Sequence, residues 1–154
     1  MSLSELCLDC GLCCDGTLFR QVTVTPAERD TLVTLGIGAA RKSGRDVMPL
    51  PCGKLNGKCC TIYEARPGGC RAFVCALGTK LVKHEVSLDD AKAQVREMSA
   101  RLAALREVLG GDDQLVLRRA REAMDGAAPL REGVAEAFQR VEALRYSVFM
   151  PPPG

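Results

Sequence analysis

The chain has 154 residues, 47% hydrophobic and 26% charged, enough apolar material for one globular domain or one domain with an appendage. Its 21 Lys+Arg and 19 Asp+Glu leave a formal charge of +2, a balance that argues against a protein built to grip nucleic acid or an anionic membrane. No apolar run approaches the roughly 18–20 residues that span a bilayer, and the single histidine argues against His-rich metal sites and most His-assisted nucleophiles. The segment Met1-Ser2-Leu3-Ser4-Glu5-Leu6 lacks the basic start and apolar stretch of a secretory signal, so a cytoplasmic location is expected.

Nine cysteines carry the chemistry: Cys7, Cys10, Cys13, Cys14, Cys52, Cys59, Cys60, Cys70 and Cys75. A disulfide framework needs an oxidising compartment, which no export signal supports, and an even count, which nine is not. Four cysteines between positions 7 and 14 also lie too close together to meet disulfide geometry with one another. Reduced thiols in C-x2-C spacing read instead as metal ligands. In Cys7-Leu8-Asp9-Cys10-Gly11-Leu12-Cys13-Cys14 the two-residue gaps let the chain curl around an ion, and Gly11 allows the tight turn. The vicinal Cys13-Cys14 pair diverges, so these two thiols serve two metals, or one bridges, or one is free. That favours a polynuclear or two-site arrangement over a single finger.

Residues 17–25 read as a strand, with Leu18, Val22 and Val24 on one side. Thr25-Pro26-Ala27-Glu28 then predicts a helix start, with Thr25 as N-cap, Pro26 at the first helical position and Glu28 closing a capping box. That helix runs to about Leu35 and stops at Gly36. Residues 37–51, with Gly38, Gly44, Pro49 and Pro51, read as a loop whose Arg41, Lys42 and Arg45 form a small solvated basic spot.

The second cysteine cluster spans Cys52 to Cys75. Asn56-Gly57 signals a tight hairpin that brings Cys52 towards Cys59 and Cys60, and Pro67-Gly68-Gly69 forces another turn just before Cys70. A four-thiolate centre carries a net charge of about −2, for zinc and for an oxidised 4Fe–4S cluster alike. Arg66 and Arg71, on either side of Cys70, are the expected compensating cations, whereas Lys58 reads as surface charge. His84 lies in Lys80–Val86, a strand or connector, and reads as a structural or surface residue rather than a metal ligand.

Beyond Ser87 the pattern becomes helical. Leu88, Ala91, Val95, Met98, Leu102, Leu105 and Leu109 form a heptad stripe that ends at Gly110-Gly111, with Ser87 as N-cap. A second helix is expected from about Asp113 to Met124, and a third from about Leu130 to Tyr146 with Leu130, Val134, Ala137, Val141 and Leu144 inward. The stripe serves either a helical hairpin or bundle within the chain, or a protein partner or homodimer. The tail 151–154 reads as extended and disordered.

Taken together, C-x2-C-x2-C-C, a lone Cys52, and Cys60-x-Ile62-Tyr63-Glu64-x-Arg66-Pro67-x-x-Cys70-Arg71 resemble the bacterial cysteine-cluster proteins of the YkgJ type, a zinc- or iron-chelating family. The resemblance covers about residues 5–76. It implies a ligand set of Cys7, Cys10, Cys13, Cys14, Cys52, Cys60, Cys70 and Cys75, with Cys59 an extra thiol of doubtful role. A similar arrangement occurs in flagellin lysine methylases with an iron–sulfur cluster, which brings a 4Fe–4S or other polynuclear cluster into the range of cofactors.

The expected fold is α+β and mostly helical: a loop-rich cysteine module over residues 1–86, then a helical hairpin or three-helix segment over 87–150 packed on it. The expected function is transition-metal binding through one or two thiolate-ligated centres, of zinc or iron. One alternative is an iron-dependent redox or peptide- or protein-modifying component; another is a structural zinc module that docks a partner. A thiol oxidoreductase built on Cys7-Leu8-Asp9-Cys10 or Cys10-Gly11-Leu12-Cys13 would need a helix N-terminus beside the dithiol, and Asp15-Gly16 reads as a turn.

Overall fold

In the computed structural model, which describes residues 2–111 and 115–151, the chain is α+β and mostly helical, with seven α-helices and five short strands among the described residues. It divides into two units, residues 8–74 and residues 1–7 with 75–154. The first helix, α1 (Ser2–Cys10), contributes residues to both.

Within residues 8–74 a three-stranded antiparallel sheet is ordered β1 (Gln21–Thr23), β3 (Arg45–Pro49), β2 (Ala40–Lys42), with Val22 opposite Met48 and Arg41 opposite Asp46. Helix α2 (Pro26–Thr34) packs on β3. It begins as its sequence predicts: Thr25 Oγ1 accepts from the Glu28 N–H at 3.2 Å, and the Glu28 carboxylate accepts from the Thr25 N–H at 2.8 Å. The helix is followed by Gly36 at φ +79°. Val24, Leu32, Ile37, Ala39, Met48, Leu50 and Cys52 form the core here. Asp46 is buried beside it, and its carboxylate is matched by Arg29 at 2.7 Å, as a buried charge requires.

Two expectations in this unit are corrected. The predicted strand over 17–25 shrinks to Gln21–Thr23, because the Thr17 N–H goes to Asp15 Oδ1 and the Leu18 N–H to the Leu12 carbonyl. The predicted loop over 37–51 contains the β2–β3 hairpin. Its turn residues Ser43 (φ +48°) and Gly44 (φ +78°) take the paired positive angles that match strand twist.

In the other unit Cys75 caps helix α4 (Ala76–Val82), its sulfur accepting from the Gly78 N–H at 3.3 Å. Residues 80–82, predicted as strand or connector, are therefore helical. A thiol is a weak acceptor and an uncommon cap, which hid the start. Helix α5 (Leu88–Leu109) starts at Ser87, whose hydroxyl accepts from the Asp90 N–H, and ends at Gly110. It packs against α6 (Val116–Asp125) and α7 (Val134–Leu144), the latter running into a π-helical turn over Arg145–Phe149.

The stripe residues Ala91, Val95, Met98, Leu102 and Leu105 are buried within this unit, where Val116, Leu117, Ala120, Val134, Val141, Leu144 and Phe149 are also buried. The stripe is thus used inside the chain and is not the exposed seam a homodimer would need. Leu130, predicted inward, is 38% exposed because α7 begins only after Gly133, at φ +83°. The expected helix start at Asp113 and the tail residues 152–154 lie outside the described residues. No helix among the described residues is long and apolar enough to cross a membrane.

Leu105 is fully buried and Leu130 is not. Leu105→Ala is expected to lower the unfolding free energy by about 2–5 kcal/mol, and Leu130→Ala by less than about 0.5 kcal/mol. Urea denaturation followed by circular dichroism checks both. The Leu105→Ala loss should not depend on protein concentration, since the stripe it interrupts lies within one chain.

Candidate metal centre

Helix α1 carries Cys7 and Cys10 at a spacing that places them on one helical face. Both sit within the helix, not ahead of one, so neither has the helix N-terminus that would activate a catalytic dithiol. The helix ends at Gly11, whose φ of +68° suits a residue without a Cβ. A Cβ on Gly11 would also lie 3.2 Å from Lys58 Cα, so this glycine lets the first cluster approach the turn of the second. The N–H groups of Cys14 and Asp15 both donate to the Gly11 carbonyl at 3.0 Å, closing the loop on which Cys13 and Cys14 stand.

The two clusters then join directly. The Cys52 N–H donates to the Cys14 carbonyl at 2.9 Å. Beyond it the chain folds back, the Leu55 N–H reaching the Cys52 carbonyl at 3.0 Å and the Lys54 N–H the Cys52 sulfur at 3.5 Å. Strands β4 (Leu55–Asn56) and β5 (Cys59–Cys60) form the predicted hairpin, turning through Gly57 at φ +62° and Lys58. Consecutive strand residues face opposite ways. Cys59 is accordingly exposed and Cys60 half-buried.

After a 3-10 turn at Tyr63–Ala65 comes helix α3 (Gly68–Ala72), which carries Cys70. Pro67-Gly68-Gly69 is therefore the start of a helix as well as a change of direction. Arg66 lies over the Tyr63 ring at 3.5 Å and donates Nε to the Tyr63 carbonyl at 2.8 Å. Arg71 donates Nε to the Arg66 carbonyl at 2.9 Å and Nη2 to the Glu64 carbonyl at 2.6 Å. The Arg71 guanidinium thus fastens the preceding turn to α3.

Four thiols share one electrostatic neighbourhood. Burial pushes Cys14 from an ordinary value near 9 up to about 12, and the charges of Cys60, Cys70, Cys52 and Asp15 add to the rise. Burial likewise pushes Cys70 up to about 11, with Cys52 and Cys60 adding and the Arg66 cation opposing. Cys14 comes from the first cluster, Cys52, Cys60 and Cys70 from the second. Cys52 belongs to the apolar core and Cys70 packs against it. No disulfide links any of the nine cysteines, all of which lie among the described residues.

Among the described residues no three His, Cys, Asp or Glu side chains already stand in metal-ligating geometry. The donor set nonetheless fits a soft or borderline cation. It consists of Cys14 and Cys70, whose ionisation is opposed by burial and by the neighbouring sulfurs, with Cys52, which accepts a backbone N–H bond, and Cys60 beside them and a guanidinium at the edge. Cys75 is occupied in capping α4, and His84 is exposed at φ +59° just after that helix. One contributor escaped sequence reading. Glu28, legible as a capping residue, also accepts the Gly68 N–H at 2.7 Å, a bond across 40 positions with no local signature.

A family model described as "CxxCxxCC: Putative zinc- or iron-chelating domain" matches residues 6–98, more than half of the chain. A search of curated proteins and a search of solved structures find no match.

Because the fold raises the Cys14 and Cys70 pKa values, the metal-free native state holds these protons more tightly than the unfolded chain does. Their contribution to stability is present below about pH 9 and is lost as the pH rises towards 12. In reductant and chelator, the melting temperature of the wild type should therefore fall more steeply between pH 9 and 12 than that of Cys14→Ser. Parallel pH profiles for the two would show that the Cys14 thiol is not held in this way.

Proposed function

The chain belongs to the CxxCxxCC family of zinc- or iron-chelating domains, and on that footing we propose that it holds a zinc or iron ion through the thiolates of Cys14, Cys52, Cys60 and Cys70. One observation carries the choice of these four: the charges of Cys52 and Cys60 bear on both Cys14 and Cys70, so the set is linked across the two sequence clusters. Binding a dication to protonated thiols releases their protons and replaces mutual repulsion by attraction to one centre. Arg66 stands close enough to Cys70 to offset part of the remaining negative charge. Cys10 and Cys13, in the same unit, are the donors left for enlarging this centre into a polynuclear one.

The chemistry follows from the donor count. Zinc surrounded by four thiolates has no open position for water, and its role is to close a loop-rich unit; such sites supply on the order of 10–16 kcal/mol of folding energy. Iron in a thiolate set adds a one-electron change of state, with a potential tuned by the N–H bonds to sulfur and by solvent access. In this reading the protein is a metal-binding module whose cysteine unit is completed by its ion.

The test is anaerobic purification, metal analysis by mass spectrometry and a visible absorption spectrum. At least about one zinc or iron per chain is expected, with Cys14→Ser and Cys70→Ser each losing more than about half of it. Cys59→Ser should keep its metal, because Cys59 faces away from Cys60. Full loading in both Cys14→Ser and Cys70→Ser would overturn the assignment, and a loss in Cys59→Ser equal to that in Cys60→Ser would show that the wrong neighbour was chosen. Colour with iron and sulfide identifies a cluster, and colourless protein with stoichiometric zinc a structural ion.

A further inference from the structure

A five-residue helix cannot hold itself together, because its nucleation cost is not recovered over so few hydrogen bonds. Helix α3, which presents Cys70, therefore depends on what surrounds it. On one face it packs against β1, where a Cβ on Gly69 would come within 2.7 Å of Val22 Cγ1 and 2.9 Å of the Thr23 carbonyl oxygen. Only glycine allows this approach, since one of the atoms in the way is backbone. On its C-terminal side Arg71 ties it to the Glu64–Arg66 turn. At its start the Gly68 N–H is received by Glu28 Oε1 at 2.7 Å, while Glu28 Oε2 receives the Thr25 N–H at 2.8 Å. One carboxylate thus serves the first turns of α2 and α3 together.

We propose that Glu28 is a positioning residue for the metal centre, locking α3 to α2 so that Cys70 is delivered to the other three thiolates. The proposal rests on the reading of Cys70 as a ligand. Glu28 touches no cysteine through these bonds, and its charge opposes ionisation of Cys70, so the help it gives the centre comes through the backbone of Gly68, two residues before Cys70. The two backbone donors, Thr25 first and then Gly68, hold its carboxyl below the usual carboxylate range, so both oxygens are available as acceptors at neutral pH. Thr25, by contrast, takes part only in the α2 cap. That difference separates a role in presenting Cys70 from a role in stabilising α2.

The experiment titrates the full-length, reduced protein with Co²⁺, whose thiolate charge-transfer and d–d bands report sulfur number and geometry, and with Zn²⁺ against a chromophoric chelator. Glu28→Gln is expected to raise the Zn²⁺ dissociation constant by about tenfold, the lower end for loss of a residue that orients a ligand, and to weaken the Co²⁺–thiolate bands. Thr25→Ala, which removes part of the α2 cap only, should change affinity by less than about twofold. Gly68→Pro removes the N–H from the other side and leaves the Glu28 and Thr25 side chains in the chain, its ring displacing Glu28 Oε1 from the α3 start; Pro67 already has the extended ψ of 155° that a following proline favours. It should reproduce the Glu28→Gln spectrum and affinity, and it keeps the test decisive where Glu28→Gln fails to fold. Wild-type affinity and bands in Gly68→Pro, or a Thr25→Ala loss as large as that of Glu28→Gln, would overturn the proposal. Unchanged bands in Cys70→Ser would instead overturn the ligand assignment beneath it, and the proposal with it.

Discussion

Thiolates placed at the edge of an apolar core repel one another and lose hydration, and the cysteine unit is organised around that conflict. Cys14 and Cys70 are each disfavoured as anions first by burial and then by the other sulfurs around them. No arrangement of the protein alone removes both terms. Arg66 offsets part of the charge at Cys70, but in the proposed ligand set four thiolates would still need a multivalent cation at their centre. The same features that make the neutral thiols the stable form of the bare chain make it a fitting host for a soft metal ion.

This constraint explains why so short a set of elements is so heavily cross-tied. Strands of two or three residues and a five-residue helix have little intrinsic persistence. Their relative placement comes from contacts between segments far apart in sequence: Gly11 against Lys58, the Cys52 N–H on the Cys14 carbonyl, Glu28 on the Gly68 N–H. Within the second cluster Arg71 fastens α3 to the turn before it. Arg66, four residues before Cys70, and Arg71, directly after it, divide the work. Arg66 bears electrostatically on the sulfur, whereas Arg71 is directed at backbone carbonyls.

What could be read from residues alone follows the range of the forces involved. The α2 capping box, the Ser87 cap and the α5 stripe are local patterns, and the structure contains each of them. The hairpin between Leu55 and Cys60 was legible from Asn56-Gly57 for the same reason. The β2–β3 hairpin was obscured because glycine and proline mark turns as readily as loops, and Ser43 is a rare residue at positive φ. Helix α4 was missed because its cap is a cysteine, already read as a ligand. The hairpin between Leu55 and Cys60 also made the approach of Cys52 to Cys60 legible, but the sequence spacing of Cys14 and Cys52 contains nothing that predicts the backbone bond between them. Glu28 shows the same limit, since its local role was plain and its second bond was not.

The two vicinal cysteine pairs show how backbone alternation resolves an ambiguity that composition leaves open. Nine thiols exceed the eight that two four-thiolate sites would take, and Cys59-Cys60 supplies the surplus. Because both lie in β5, they cannot face the same side, and the register that sets Cys60 opposite Leu55 leaves Cys59 opposite Asn56 at the turn. Cys60 is the member whose charge reaches Cys14 and Cys70, while Cys59 is open to solvent. At Cys13-Cys14 the selection is made by a different device. There the turn closed on the Gly11 carbonyl places Cys14 beside Cys52 through a shared backbone bond. In both pairs the member that stands beside the other buried thiols is set by the backbone conformation of its segment and not by any difference in side-chain chemistry. A one-residue slip of the β4–β5 register would therefore exchange Cys60 for Cys59 while leaving the cysteine count and composition unchanged.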